Sequence, residues 1–322
     1  MPLMPGQSGI FSMKTENQHN LTGFSILGLT DTPQLQLPLF IIFLVLYFLI
    51  ICGNSTIFLI ILWDPRLHTP MYVFLVNLAF VDITYTSCIL PKLLKMLITQ
   101  NKAISFLGCI IQMYFFIFLA CTEILLLVAM AYDRYLAICH PLRYFILLSF
   151  RHCAILIMIA WTISFLSPVG HAALISQMSF CASHIINHFF CDMTPLLKLS
   201  CSDTFTVELL NYVEGTILGF FTFLLTVISY VFIIANILKI KSKEGRLKAF
   251  STCTSHLTCI TVYYGTIVCL YVRPISSYSP KQDKFFSLLY IVLVPMVNPV
   301  IYSLKNQDVK DALKKLKDKM QF

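Results

Sequence analysis

Seven long apolar runs constrain this chain more than any other feature of its sequence. About 20 apolar helical residues are needed to cross ~30 Å of hydrocarbon. The runs lie near residues 37–62, 70–93, 106–132, 153–175, 206–238, 249–272 and 285–304. They are continuously apolar and lack the two-residue alternation of a membrane β-barrel. The sequence therefore predicts an all-α membrane protein, built as a seven-transmembrane helix bundle.

The composition agrees with this class. Of the 322 residues, 58% are hydrophobic and only 12% are charged, whereas soluble domains are about 25% charged. The excess of positive charge is spread over short loops without interleaved aromatic residues, so a lipid membrane is expected as a partner and nucleic acid is not. No repeat or long linker divides the chain. We expect an extracellular N-terminal segment (1–36), the bundle (37–304), and a cytoplasmic amphipathic helix and tail (305–322).

The orientation follows from the positive residues, which collect on the cytoplasmic side of membrane proteins. If the N-terminus lies outside, 15 of the 23 Lys and Arg residues are cytoplasmic and eight are not. The sequon Asn20-Leu21-Thr22 precedes the first run, which predicts glycosylation of Asn20 on the outer side. No signal peptide is recognisable in residues 1–36, so the first run would target the chain. The predicted location is the plasma membrane, with a cytoplasmic C-terminus.

Four cysteines fall on the predicted outer side: Cys109, Cys181, Cys191 and Cys201. They allow three pairings, among which the sequence does not choose. The even ten-residue spacing favours a bond between Cys181 and Cys201, which leaves Cys191 for Cys109. A metal site is the alternative, because His184 and His188 lie between Cys181 and Cys191 at plausible ligand spacing. Oxidation in the secretory pathway favours disulfides over that site.

Polar residues are rare within the runs, because a charge at bilayer depth costs several kcal/mol unless it faces the bundle interior or water. Five polar side chains fall at depths that would let them converge inside the bundle: Asn54, Asp82, Glu123, Asn298 and Tyr302. Two interpretations remain open. The cluster either joins helices by hydrogen bonds or forms a hydrated, cation-binding switch.

Six motifs occur in order from the first run to the last. They are Gly53-Asn54, LHTPMYVFLVNLAFVD (67–82), MAYDRYLAICHPLRY (130–144), Ser229-Tyr230, KAFSTCTSHL (248–257) and PMVNPVIYSLKN (295–306). With these motifs the chain resembles the rhodopsin-like G-protein-coupled receptors, and most closely the olfactory receptors of the tetrapod type. VYYGT (262–266) stands where other rhodopsin-like receptors carry Cys-Trp-x-Pro, which also points to the olfactory branch.

The resemblance implies an odorant receptor, not an enzyme, that needs no cofactor. It would bind small, mostly apolar volatile ligands and activate a stimulatory heterotrimeric G protein of the olfactory type, which raises cyclic AMP. By the same resemblance, Asp133 holds Arg134 at rest, and activation frees Arg134 toward the G protein. The implied switch and coupling residues are Asp133, Arg134, Tyr135, Tyr230, Asn298, Pro299 and Tyr302. The alternative function is a chemoreceptor of the same fold that acts outside the olfactory epithelium.

The resemblance places the ligand site in the outer half of the bundle. Four residues of the third run share one helical face, ~10–18 Å below Cys109: Phe116, Ile117, Ala120 and Cys121. They would be joined by Gly215, Leu218, Gly219, Tyr264, Val268 and Tyr271 from the fifth and sixth runs. The alternative interpretation is that this stripe packs against neighbouring helices and contacts no ligand. No acid lies between Cys109 and Glu123, so neutral ligands are favoured over amines.

After the last run, DVKDALKKLKDKM places Val309, Leu313, Leu316 and Met320 on one face, which predicts a short helix lying on the inner leaflet. Other membrane classes fit the sequence poorly. There are no related halves with broken helices, as in a transporter, and no His-Glu-x-x-His motif, as in a metalloprotease. Residues 285–304 contain no lysine for a retinal Schiff base.

Overall fold

A computed structural model describes residues 23–181, 183–271, 279–304 and 307–320. Within these residues, seven long helices coincide with the seven apolar runs, and an eighth, shorter helix comes after them in the chain. This confirms the predicted all-α bundle. The helices are α1 (Pro33–Trp63), α2 (Pro70–Thr99), α3 (Phe106–Cys139), α4 (Phe150–Ser176), α5 (Phe205–Lys239), α6 (Lys243–Tyr271), α7 (Pro280–Leu288, Leu289–Leu293 and Val294–Leu304 in succession) and α8 (Gln307–Met320).

Six of these helices are long and apolar enough to cross a membrane, and in α6 the apolar stretch is the shorter segment His256–Cys269. The first turns of α6 carry charged residues such as Lys243, Glu244 and Arg246, which belong in water or among lipid headgroups. The sixth run was predicted over 249–272. The helix begins at Lys243, six residues before that run.

Local chemistry sets the other helix ends. α1 begins at Pro33, four residues before the predicted run, because proline is favoured in the first turn of a helix. The hydroxyl of Ser105 accepts a hydrogen bond from the amide of Gly108 and caps α3. α3 continues to Cys139, beyond the predicted 132, because the polar Asp-Arg-Tyr stretch extends the helix past the apolar run.

α3 lies at the centre of the bundle. Of its apolar stretch 61% is buried, compared with 11% for α1 and 22% for α4 and α5. The exposed side chains of the outer helices are large and apolar, for example Phe48, Leu166 and Phe232. Such faces suit contact with lipid tails. α3 thus has the most buried apolar stretch of the described spans.

A small sheet covers the outer end of the bundle. Strand β1 (Gly23–Ile26) lies between β2 (Ala103–Ser105), to which it is antiparallel, and β3 (Ile185–Ile186), to which it is parallel. Phe24 and Ile26 point inward and are buried. Only glycine fits at position 23, because an added Cβ would overlap the backbone carbonyl of Ile104. The sheet ties the N-terminal side of the chain to the loop that follows α4.

Gly53 lets α1 and α7 approach closely. A Cβ at this position would lie 3.2 Å from Cγ of Pro299. Next to it, the side-chain amide of Asn54 donates to the backbone carbonyl of Pro295, at 2.9 Å. The Gly53-Asn54 pair therefore joins the first span to the last.

α8 packs its apolar face against the bundle, and its position on the inner leaflet stays a prediction. Val309 is buried, and Leu313 and Leu316 pack against the core. The ammonium groups of Lys315 and Lys319 lie 5.7 Å and 5.3 Å from the ring centroid of Trp63, within cation–π range. The side chain of Met320, like the predicted glycosylation site at Asn20, lies outside the described part of the chain.

Candidate functional site

Two disulfides organise the outer end of the bundle. Cys109, in the first turn of α3, is bonded to Cys191 with an S–S distance of 2.04 Å. Cys181 is bonded to Cys201 across a Cα–Cα distance of 5.9 Å. This is the pairing that the ten-residue spacing favours. It takes up the two thiols that the alternative metal site would need.

The loop before Cys191 is buried in the mouth of the bundle. The backbone amide of Cys191 donates to Oε1 of Gln112 on α3, at 2.9 Å. The Phe190 ring lies 4.9 Å from the Phe116 ring, and Nε2 of His188 lies 3.5 Å from Oγ of Ser287 on α7. These contacts hold the loop over the outer half of the bundle as a lid.

His188 makes this lid sensitive to acid. Burial, with Lys284 nearby, lowers the pKa of His188 from 6.5 to about 3. Between these values the unfolded chain binds a proton that the folded chain does not, so stability falls as the pH falls through 6.5. Going from pH 7.5 to 5.5 is expected to cost on the order of 1 kcal/mol. Thermal unfolding in lipid nanodiscs at the two pH values measures this loss. His188→Phe should reduce it, and an equal loss in this variant would contradict the assignment to His188.

The predicted ligand-facing stripe of α3 meets three different neighbours. The buried Phe116 ring packs on Tyr85 of α2 (5.5 Å between centroids) and on Tyr290 of α7 (6.1 Å). At the other edge, Sγ of Cys121 lies 3.5 Å from the hydroxyl of Ser167 on α4. Ile117 and Ala120, at the centre of the stripe, are only partly buried. The centre of the stripe is therefore less covered by other side chains than Phe116 is, and its contact with a ligand stays a prediction.

The ligand-site residues predicted on α5 and α6 differ in how deeply they are buried. The hydroxyl of Tyr264 donates to that of Thr222 at 2.9 Å and so joins the two helices. Leu218 and Gly219 are partly buried on α5, whereas Gly215 and Val268 are exposed. The side chain of Tyr271 lies outside the described residues. The sequence missed Tyr263, whose hydroxyl donates to the backbone carbonyl of Ala120 at 2.6 Å.

Enlarging Ala120 tests whether this centre receives a ligand. Ala120→Phe is expected to weaken activation by bulky odorants more than by small ones. Overpacking costs ~1–3 kcal/mol, or roughly 5–150-fold in potency. Dose–response curves for a homologous series of aliphatic odorants measure the effect. Ala235→Phe, on the exposed face of α5, is the control. A loss that does not depend on odorant size would make Ala120 a packing residue.

A polar group between α4 and α5 was not predicted from the sequence. An acid and a histidine inside two apolar runs could have indicated it. Nδ1 of His171 on α4 lies 3.3 Å from Oε2 of Glu214 on α5. The hydroxyl of Ser167 donates to the other oxygen of Glu214. The expectation of neutral ligands rested on the third run alone, which has no acid between Cys109 and Glu123. This group therefore lies beside the predicted stripe, next to Cys121.

Deeper in the bundle, the interior polar residues form a partly joined cluster. The side-chain amide of Asn298 donates to Oδ2 of Asp82 at 3.0 Å, and the hydroxyl of Tyr290 donates to Oε2 of Glu123 at 3.2 Å. Asp82 and Glu123 are electrostatic neighbours, and each has one buried oxygen without a hydrogen-bond partner in the described part of the chain. Asn54 instead bonds to backbone carbonyls, and the Tyr302 side chain is not described.

The C-terminal end of α3 carries the Asp-Arg pair. Asp133 is fully buried, and Nε of Arg134 donates to its Oδ2 at 2.8 Å. Its other oxygen accepts a hydrogen bond of 2.6 Å from the hydroxyl of Tyr144, in a short helical turn after α3. Tyr144 was part of the motif but was not among the predicted switch residues. Both oxygens of Asp133 are thus engaged, and its contact with the Arg134 side chain, which is 15% exposed, is largely buried.

Of the remaining predicted switch residues, Tyr230 lies near this pair. The hydroxyl of Tyr230 on α5 lies 2.7 Å from Nδ1 of His256 on α6, and Arg134 is an electrostatic neighbour of both. The hydroxyl of Tyr135 instead lies 3.2 Å from Nε2 of His140. Pro299 stands on α7 against Gly53. In this arrangement Arg134 contacts Asp133, and Tyr230 is joined to α6.

Comparison with known proteins identifies close relatives along almost the whole chain. A sequence profile described as olfactory receptor matches residues 43–319. Olfactory receptor 5AR1 of Mus musculus is 48% identical over 304 residues, which cover 94% of this chain and 98% of the relative. Olfactory receptor 1L4 of Homo sapiens is 47% identical over 309 residues, which cover 96% of this chain and 99% of the relative. The similarity therefore includes both ends of the bundle.

Proposed function

The chain belongs to the olfactory receptor family, and from this premise we propose that it is an odorant receptor coupled to a stimulatory G protein. It is a multi-pass membrane protein. In the proposal, a small, mostly apolar volatile ligand binds in the outer half of the bundle. Binding changes the inner end, where the G protein is activated and the concentration of cyclic AMP rises.

One observation carries this proposal: α3 joins the ligand stripe to the Asp-Arg pair in a single continuous helix. Its outer end is fixed by the Cys109–Cys191 bond, and its inner end carries Asp133 and Arg134. The 25 residues from Cys109 to Arg134 correspond to ~37 Å of helix. A shift at Ile117 or Ala120 can therefore be transmitted to Arg134 without an intervening loop.

The inner end suits a reversible switch. The attraction between Arg134 and the buried Asp133 is offset by the cost of removing both charges from water, so the net strength of the pair is small and a ligand can shift the balance. In the proposal, an active arrangement moves Arg134 away from Asp133 toward Tyr230, Tyr302 and the G protein. Pro299 lacks a backbone donor, which makes α7 easier to rearrange next to Asn298.

The proposed orientation places the N-terminus outside and α8 on the inner leaflet. The positive residues support it, since most Lys and Arg residues then lie in cytoplasmic loops and in α8. The disulfides Cys109–Cys191 and Cys181–Cys201 also lie at one end of the bundle. That end must face an oxidising compartment for the bonds to persist. The Asp-Arg pair then lies on the cytoplasmic side, as coupling to a G protein requires.

A cell-based screen tests the function directly. Cells that express the receptor and a cyclic AMP reporter are exposed to mixtures of volatile compounds, with receptor-free cells as the control. We expect at least one mixture to raise cyclic AMP, and the response to disappear in cells that lack the stimulatory G-protein α-subunit. Activation by a peptide or a lipid with no response to any volatile compound would contradict the proposal.

A further inference from the structure

The polar group between α3, α4 and α5 has no role in the function proposed so far. Its members are Cys121, Ser167, His171 and Glu214. The His171 side chain is 2% exposed and that of Glu214 is 20% exposed. The His171 ring approaches Glu214 at 3.3 Å and also the backbone of Ser167, and neither ring nitrogen has a well-aligned hydrogen bond with the described residues. The ring is therefore a buried donor and acceptor that lacks a complete set of partners.

Such an arrangement is costly in a membrane helix. Buried polar side chains are normally hydrogen-bonded, and one without partners costs about 1–3 kcal/mol. Ionisable residues at this depth face the bundle interior and mark sites of function. The group is better explained as a site whose remaining partner is a ligand.

Its position places it at the edge of the predicted ligand site. Cys121 belongs to the α3 stripe and contacts Ser167 at 3.5 Å. Glu214 lies four residues before Leu218, so both lie on the inner face of α5. Directly after Glu214, α5 contains a π-helical segment, Gly215–Phe220, and such segments are frequent at functional sites. A ligand at Ile117 and Ala120 can thus extend an end group toward Glu214.

We propose that His171, Glu214 and Ser167 form the polar end of the ligand site and bind the hydroxyl group of an aliphatic alcohol. This inference rests on the proposed function, because it names the ligand class of that receptor. A hydroxyl group can donate to Oε2 of Glu214 and accept from an N–H of His171, which satisfies both at once. The alkyl chain then lies along the apolar stripe of α3.

Other end groups match this pair less well. A carboxylic acid brings a second carboxylate beside Glu214, and like charges at short range repel each other. An aldehyde accepts but does not donate, so it leaves the Glu214 oxygen without a donor. An alkylammonium group has only donors, so it can bind Glu214 but offers no acceptor to an N–H of His171. The alcohol is the end group that adds no charge and uses both a donor and an acceptor.

The test uses five eight-carbon probes that differ only at one end: 1-octanol, octanal, octanoic acid, octylamine and octane. Cyclic AMP dose–response curves are recorded for the wild type and for Glu214→Gln. We expect 1-octanol to be the most potent probe, and Glu214→Gln to lower its potency roughly 10- to 100-fold, as for loss of a hydrogen bond to a charged group. The potency of octanal should change much less. Glu208→Gln, on the same helix and bonded to Thr204, is the matched control and should leave both potencies unchanged.

A second variant keeps the test informative if Glu214→Gln does not reach the cell surface. Ser167→Ala retains the carboxylate and removes one donor to it, so it should change the potency of 1-octanol selectively. An equal loss for 1-octanol and octanal in either variant would overturn the inference, as would greater potency of the amine or the acid. A receptor that responds to other volatiles but to no alcohol overturns the ligand class alone. A response to no volatile compound overturns the proposed function itself.

Discussion

Arg134→Ala is expected to abolish the cyclic AMP response to an activating odorant, while the receptor still reaches the cell surface and binds that odorant. Arg134 is ~37 Å of helix from the lid disulfide, so its loss leaves the ligand site intact. Its side chain is 15% exposed and contacts Asp133. The variant removes the charge that the proposed active arrangement presents to the G protein.

The loss must be separated from misfolding, because the variant leaves the buried Asp133 with Tyr144 as its remaining partner. Arg134→Lys retains a positive charge but lacks the planar fork of the guanidinium. We expect it to reach the surface at near-normal levels and to signal weakly. Surface staining, odorant binding and cyclic AMP are measured for both variants. The exposed Arg151 provides the control Arg151→Ala, which should signal normally. Normal signalling by surface-expressed Arg134→Ala would contradict the switch role.

Cys109→Ser and Cys191→Ser are each expected to prevent delivery to the cell surface. The bond between them closes 82 residues of chain and holds the buried loop against α3. Loss of a native disulfide in an exported protein costs ~2–5 kcal/mol. A loss of that size is comparable to the whole stability of many proteins and leads to retention by quality control. Flow cytometry of an N-terminal tag on unpermeabilised cells measures the surface fraction.

Two further variants make this test specific to the bond. Cys139→Ser should have a mild effect, because that thiol is free and has only weak contacts, with Asn236 and Phe232. The double variant Cys109→Ser/Cys191→Ser should be no worse than either single variant, since both remove the same bond. Equal loss in Cys139→Ser, or additive losses in the double variant, would remove support for the proposed role.

The sequence determined the features that depend on distance along a helix. Hydrophobicity is a local property, so the seven spans were predictable to within a few residues, apart from ends that extend beyond the apolar runs, as in α3 and α6. The depth of a residue in the membrane can also be counted along its own helix, since each helical residue adds ~1.5 Å. The sequence therefore placed Cys109 at one end of α3 and Arg134 at the other, and its cysteine spacing favoured the pairs that the structure contains.

Tertiary structure alone decided which side chains meet, because the rotation of one helix against another depends on packing by residues far apart in the chain. The approach of His171 to Glu214, the hydrogen bond from Tyr263 to Ala120 and that from Tyr144 to Asp133 are such cases. The π-helical segments of α5 and α7 insert an extra residue in a turn and so rotate everything after it. No periodicity in the sequence reveals that rotation, which is why depth in the membrane could be predicted and contact partners could not.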